Sequence, residues 1–213
     1  MTTLLLIRHG QSEANIKNLF AGHTDAELSP LGKQQAQVTA RYIKDNYQVD
    51  RVYASDLQRA YETGKATADR YGLEVIAVEG MREIFGGDWE NLSYELLEKE
   101  YAEAYDIWLH DVGNSQCVAG ESVRELGERV YNTLLKIAAD NDGKTVVVAT
   151  HATPVRVAEC LCRNLSMDEM KNIPWVSNAS VTELQYDAGT WTIVKRGYDE
   201  HLMDLRSALP ANV

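Results

Sequence analysis

The chain has 213 residues, 45% of them hydrophobic and 25% charged, with a mean hydropathy of −0.34. That balance suits a globule large enough to bury its own core, and excludes a disordered, collagenous or integral membrane chain. With 32 acidic against 21 basic residues the net charge is −11, which repels duplex phosphates and anionic lipid, so neither nucleic acid nor a membrane is an expected partner.

Thr3 to Ile7 is an apolar run without polar alternation, as expected of a strand buried on both faces. It stops at Arg8, too short for a signal-peptide core or a membrane span, and the chain is read as cytoplasmic. Ser29-Pro30 pairs a cap with a proline at the first helical position, after which Ala36, Ala40, Ile43 and Tyr47 recur on one face. Arg51 to Ala54 reads as a strand, followed by a helix capped by Ser55 or Asp56 and running to about Tyr71. Leu73 to Val78 is a further strand candidate. Leu97, Tyr101, Ala104 and Trp108 form one helical stripe, and Val123, Leu126, Val130, Leu134 and Ile137 another. Thr145 to Ala149 repeats the buried-strand pattern. Val181 to Tyr186 and Trp191 to Arg196 flank Asp187-Ala188-Gly189-Thr190 as a hairpin.

Strands alternating with helices, uninterrupted by a linker or repeat, predict a single domain over 1–213. Its class is α/β: a three-layer α/β/α sandwich around a mostly parallel sheet. Cys117, Cys160 and Cys162 are odd in number and lack C-x-x-C spacing, so they read as inert thiols of a reducing compartment.

Ligands of open parallel sheets bind beyond the carboxyl ends of the strands. The first strand runs into Arg8-His9-Gly10-Gln11-Ser12, the strand at Thr145 into Thr150-His151-Ala152-Thr153-Pro154, and the strand at Arg51 into Ser55-Asp56-Leu57-Gln58-Arg59. Two of five histidines and two arginines thus meet at one sheet edge. Singly each has an ordinary reading: a structural histidine, a salt-bridging arginine, a glycine turn. Jointly they point to phosphate. An arginine fork matches phosphate oxygens, and Gly10 and the helix start after it would offer backbone N–H groups to an anion. Positive neighbours favour neutral imidazole, the nucleophilic form. The sequence contains no H-x-H, H-E-x-x-H or P-loop pattern, so neither a metal nor a cofactor is called for.

The segment Leu6-Ile7-Arg8-His9-Gly10-Gln11-Ser12-Glu13-Ala14-Asn15 resembles the R-H-G signature of the histidine phosphatase (phosphoglycerate mutase-like) superfamily. The resemblance continues through Gly22, Asp25, Leu28, Ser29 and Gly32, then Ser55-Asp56-Leu57-Gln58-Arg59-Ala60, Arg82-Glu83-Ile84-Phe85-Gly86-Gly87-Asp88-Trp89-Glu90, Gly120-Glu121-Ser122 and Thr150-His151. Gln11 stands where many members have Glu, and Ala152 replaces a glycine that often follows the second histidine. The resemblance implies a phosphoglycerate mutase-like fold, with His9 as the phosphorylated nucleophile. Arg8, Arg59 and His151 would form the phosphate pocket, Glu83 would protonate the leaving oxygen, and Gly10, Asn15, Gly22 and Ala152 would bind substrate.

The superfamily holds both phosphatases and cofactor-dependent phosphoglycerate mutases. Between Glu83 and Gly120 this chain has Lys99 as its one permanent cation against eight acidic residues, a poor setting for a second substrate phosphate. The expected activity is therefore metal-independent hydrolysis of a small phosphorylated metabolite. The segment resembles that of α-ribazole and broad-specificity phosphatases. A mutase and a non-catalytic phospho-ligand-binding module are the alternatives, and the oligomeric state is not legible. Residues 84–120 read as a substrate-covering insertion. Its aromatic stripe reads first as core packing, and any part that faces the pocket would suit an apolar or aromatic leaving group.

Overall fold

The computed structural model describes residues 1–208. Leu4 to Ile7 are fully buried at the heart of β1 (Thr2–Arg8). Their side chains alternate between two apolar layers. Leu4 and Leu6 join the cluster of Trp108, Leu126, Val130 and Val157, while Leu5 and Ile7 join Ile43 and Ala68 on the opposite face. A strand with no polar face needs both covers.

The sheet has six strands in the order β3-β2-β4-β1-β5-β6. β2 is Arg51–Ala54, β3 Val75–Ala77 and β4 Thr145–Thr150. β3, β2, β4 and β1 run parallel; β5 (Val181–Asp187) is antiparallel to β1 and joins β6 (Thr190–Tyr198) in the expected hairpin. Ala188 and Gly189 both take positive φ in its two-residue turn, a conformation that matches the twist of the flanking strands. The order brings the carboxyl ends of β2, β4 and β1 side by side.

On one face lie α2 (Pro30–Asn46) and α3 (Gln58–Tyr71), and on the other α6 (Val123–Ala139) and α7 (Ala152–Cys162). Ser29 caps α2 by accepting the Gly32 N–H (3.0 Å), and a reciprocal Ser122–Glu125 box caps α6. A four-residue helix α1 (Glu13–Ile16) follows β1. Two sequence expectations need correction. The start of α3 is not capped by Ser55 or Asp56. Leu57 holds the cap position, and the exposed Gln58 N–H is met by Asp25 Oδ1 (2.6 Å) from a distant loop, while Asp56 pairs with Arg82. The stripe from Leu97 to Trp108 is two helices, α4 (Tyr94–Glu100) and α5 (Ala102–His110), broken where Tyr101 leaves helical geometry (φ −124°, ψ 33°). Among the described residues no helix is long and apolar enough to cross a membrane.

Candidate active site

The three loops that follow β1, β4 and β2 converge as their strand order requires. His9 is buried, and its ring meets that of His151 edge-on, with centroids 5.2 Å apart. His9 Nδ1 lies 2.7 Å from the Gly10 carbonyl oxygen. A carbonyl only accepts, so Nδ1 carries the proton and Nε2 keeps its lone pair. Burial, and then the positive charges of Arg59 and Arg8, hold His9 well below the usual imidazole range. His151 is fully buried and likewise held low, by burial first and then by Arg59 and His9. Its Nε2 is 2.8 Å from Ser55 Oγ, and its Nδ1 has no partner.

Both arginines are anchored by main-chain oxygens. Arg8 Nη1 donates to the Val176 carbonyl; Arg59 donates through Nη1 to Thr24 O and through Nη2 to Gly22 O (2.8 Å each). Burial brings Arg59 down to about 10, still a cation at neutral pH. The Nε of each is buried without a partner.

These groups open onto a cleft lined by Arg8, His9, Asn15, Gly22, Arg59, Glu83, Ala152 and Thr153. Leu19, Phe20, Ile84, Tyr94, Trp108 and Trp175 line it on its apolar side. Among the described residues, the only charged side chains along it are Arg8, Arg59 and Glu83. His151 stands behind His9, outside the lining. Gly10 is also outside it, and the expectation of free amides there is overturned. Gly10 N–H donates to Thr63 Oγ1 (3.1 Å), Gln11 N–H to Gln35 Oε1 (2.8 Å), Ser12 N–H to Asn15 Oδ1 (3.0 Å) and Glu13 N–H to Glu27 O (3.0 Å). Every amide from 10 to 13 is spoken for, so none of these four is free to hold an anion. Gly10 is required instead by packing, since a Cβ there would fall 2.4 Å from Gly32 O.

Asn15 reaches the cleft by way of a cap: its Oδ1 accepts from Ser12 and from Asn178 Nδ2 (3.3 Å), which turns its NH2 outward. Asn178, unremarked in the sequence, also donates to the His9 carbonyl (3.0 Å). Glu83 is half-buried; Oε1 accepts from Ile84 N–H (2.9 Å) and Oε2 from Thr153 N–H (3.4 Å). His23, also unremarked, shares a hydrogen bond through Nε2 with the Glu83 carbonyl (2.8 Å). Such buttresses are lone polar residues far from their partners in sequence, and spacing could not have found them.

The sequence profile of the histidine phosphatase superfamily (branch 1) matches residues 4–199. The chain belongs to that superfamily. Within it, a phosphoserine phosphatase 1 from Hydrogenobacter thermophilus is 29% identical over 202 residues, 95% of each chain. A phosphoglycerate mutase-like protein 4 from Arabidopsis thaliana is 31% identical over 93% of this chain and 86% of its own. Among solved structures, a phosphoserine phosphatase mutant from Entamoeba histolytica, in complex with phosphoserine, superposes with a TM-score of 0.84. Its identity is 29%, and the match covers 95% of this chain and all of that one. These histidine phosphatase relatives support a phosphatase activity, and the fold is phosphoglycerate mutase-like.

Proposed function

We propose that the protein hydrolyses small phosphate monoesters through a phosphohistidine on His9, without a metal. The observation that carries this reading is the fixed tautomer of His9: Nδ1 is tied to the Gly10 carbonyl and the ring is kept neutral beside two arginines. Neutral imidazole with a free Nε2 is a nucleophile. Arg8 and Arg59 meet the charge on the phosphoryl oxygens, and their anchored guanidiniums need no rearrangement to do so. His151 packs its ring edge-on against that of His9, and with the Ser55 hydroxyl donating to Nε2 its proton sits on Nδ1.

In the first half-reaction Nε2 bonds to phosphorus as the ester P–O bond breaks, and Glu83 gives its proton to the leaving oxygen. In the second, Glu83 takes a proton from water, the water oxygen attacks phosphorus, the P–N bond breaks and orthophosphate departs. Asn15, Gly22 and Ala152 border the bound ester. The scarcity of charge along the cleft favours a monophosphate over the bisphosphate a mutase requires. Its aromatic side, where Ile84, Tyr94 and Trp108 of the 84–120 segment cover the pocket, favours an apolar or aromatic leaving group.

The test is phosphate release from p-nitrophenyl phosphate with EDTA present. Wild type should turn over and form an acid-labile phosphoenzyme, and His9→Ala should lose both, with a rate loss of at least ~10³-fold. A folded wild type that releases phosphate from no ester would instead leave a mutase or a binding module.

A further inference from the structure

Arg129 lies on α6, outside the cleft, yet all five of its N–H donors are committed to one short stretch of chain and its brace. Nε and Nη2 hold the two oxygens of Glu121 (2.6 and 2.8 Å). Nη1 donates to the carbonyls of Gly80 (3.1 Å) and Arg82 (2.8 Å), and Nη2 to that of Glu83 (2.7 Å). Glu121 continues the grip past Glu83: its Oε2 accepts from Phe85 N–H (3.1 Å), and its own N–H donates to Phe85 O (2.8 Å). The main chain on both sides of Glu83 is thereby tied to α6, while the Glu83 side chain borders the cleft.

We infer that Arg129 and Glu121 are positioning residues that aim the Glu83 carboxyl at the leaving oxygen. This rests on Glu83 being the proton donor. The pair is largely covered, with side chains 24% and 14% exposed, and its geometry is bidentate. A lysine cannot replace it, because an ammonium has three donors and no planar fork to span a carboxylate and three carbonyls. Neither residue touches the substrate. Their effect is on the orientation of one group, and small misplacement of a catalytic group is costly.

A proton donor matters most where the leaving oxygen is most basic. p-Nitrophenolate departs without a proton, whereas an alkoxide needs one. The experiment compares p-nitrophenyl, phenyl and propyl phosphate with wild type, Glu83→Gln, Arg129→Met, Arg129→Lys and Glu121→Gln, with thermal unfolding as the check on folding. Glu83→Gln should lose most kcat/KM on propyl phosphate and least on p-nitrophenyl phosphate, because kcat/KM reports the step that expels the leaving group and not the hydrolysis common to all three esters. Arg129→Met should follow the same gradient in kcat/KM, by about 10–100-fold on the alkyl ester. Arg129→Lys should not restore it, and Arg129→Met/Glu121→Gln should be no worse than Arg129→Met. A gradient in Glu83→Gln with a uniform loss, or none, in folded Arg129→Met overturns the positioning role and leaves Glu83 as the acid. No gradient in Glu83→Gln removes both readings. If Arg129→Met does not fold, Glu121→Gln decides by the same comparison, because it keeps the guanidinium on its three carbonyls.

Discussion

His9, the proposed nucleophile, depends on two neighbours of opposite effect. The Gly10 carbonyl fixes the proton on Nδ1, and by itself favours imidazolium. Burial, with Arg59 and Arg8, outweighs it. His9 should therefore show the neutral Nδ1–H tautomer at pH 6 by nitrogen NMR. Arg59→Met should move its titration upward by removing a positive neighbour; an unchanged midpoint would mean that burial alone sets it. The residues at this centre were readable because each lies at or past a strand end or stands in a motif: Arg8 closes β1 and His9 follows it, His151 follows β4, Arg59 lies past β2, and Glu83, Asn15, Gly22 and Ala152 stand in the motif segments. Their supports were not. Asn178 reaches back to His9 across 169 positions and Arg129 to Glu83 across 46, and neither belongs to a pattern. Gly10 misled for a related reason: a glycine needed for backbone contact and one needed for an anion look alike in sequence.

At the scale of elements, the cleft wall is assembled from pieces that the sequence merged. The helical stripe read correctly as apolar, but a stripe cannot show the break at Tyr101. That break separates α4, which supplies Tyr94, from α5, which supplies Trp108. Trp108 belongs both to the core, at 6% exposure, and to the cleft. Trp175 faces it at 6.1 Å between ring centroids and is backed by the Arg156 guanidinium 4.1 Å from its ring centre. An aryl leaving group would complete this arrangement, a gain of about 0.5–1.5 kcal/mol per aromatic pair. Trp175→Leu should raise KM for phenyl phosphate roughly 2–10-fold while leaving propyl phosphate nearly unchanged. Equal effects on the two esters would remove the aromatic platform. The strands were easier to read than these helices because β1 and β4 are apolar throughout, and only the chain's tertiary contacts set the bounds of β3.

For the whole molecule, several histidines are folded away uncharged. His9 and His151 lie well below the usual range, and burial brings His201, beside Thr39 Oγ1 (2.8 Å), down to about 4. Unfolded, each titrates near 6.5. Between 6.5 and the folded value the unfolded chain binds more protons, so stability is full above this window and declines as pH falls through it. The slope is at most about 1.4 kcal/mol per pH unit for each histidine. Urea unfolding at pH 7.5 and 5.0 should show the decline, and His201→Gln should reduce its slope. A free energy constant over that interval would contradict the burial of neutral imidazoles.

The register of β1 has a further effect, on the timing of synthesis. β1 is made before the other five strands of its sheet, yet Thr3 pairs with Thr145 on one side and Gln185 on the other. At a translation speed of about 5–20 residues per second, roughly 7–30 s pass before β4 emerges to receive it. Throughout that interval Leu4 to Ile7 is an apolar, strand-forming segment with both edges open, a target for chaperones and for pairing with neighbouring nascent chains. His9 cannot meet His151 until then, so a ribosome-bound chain stalled before β4 carries His9 without the ring that packs against it.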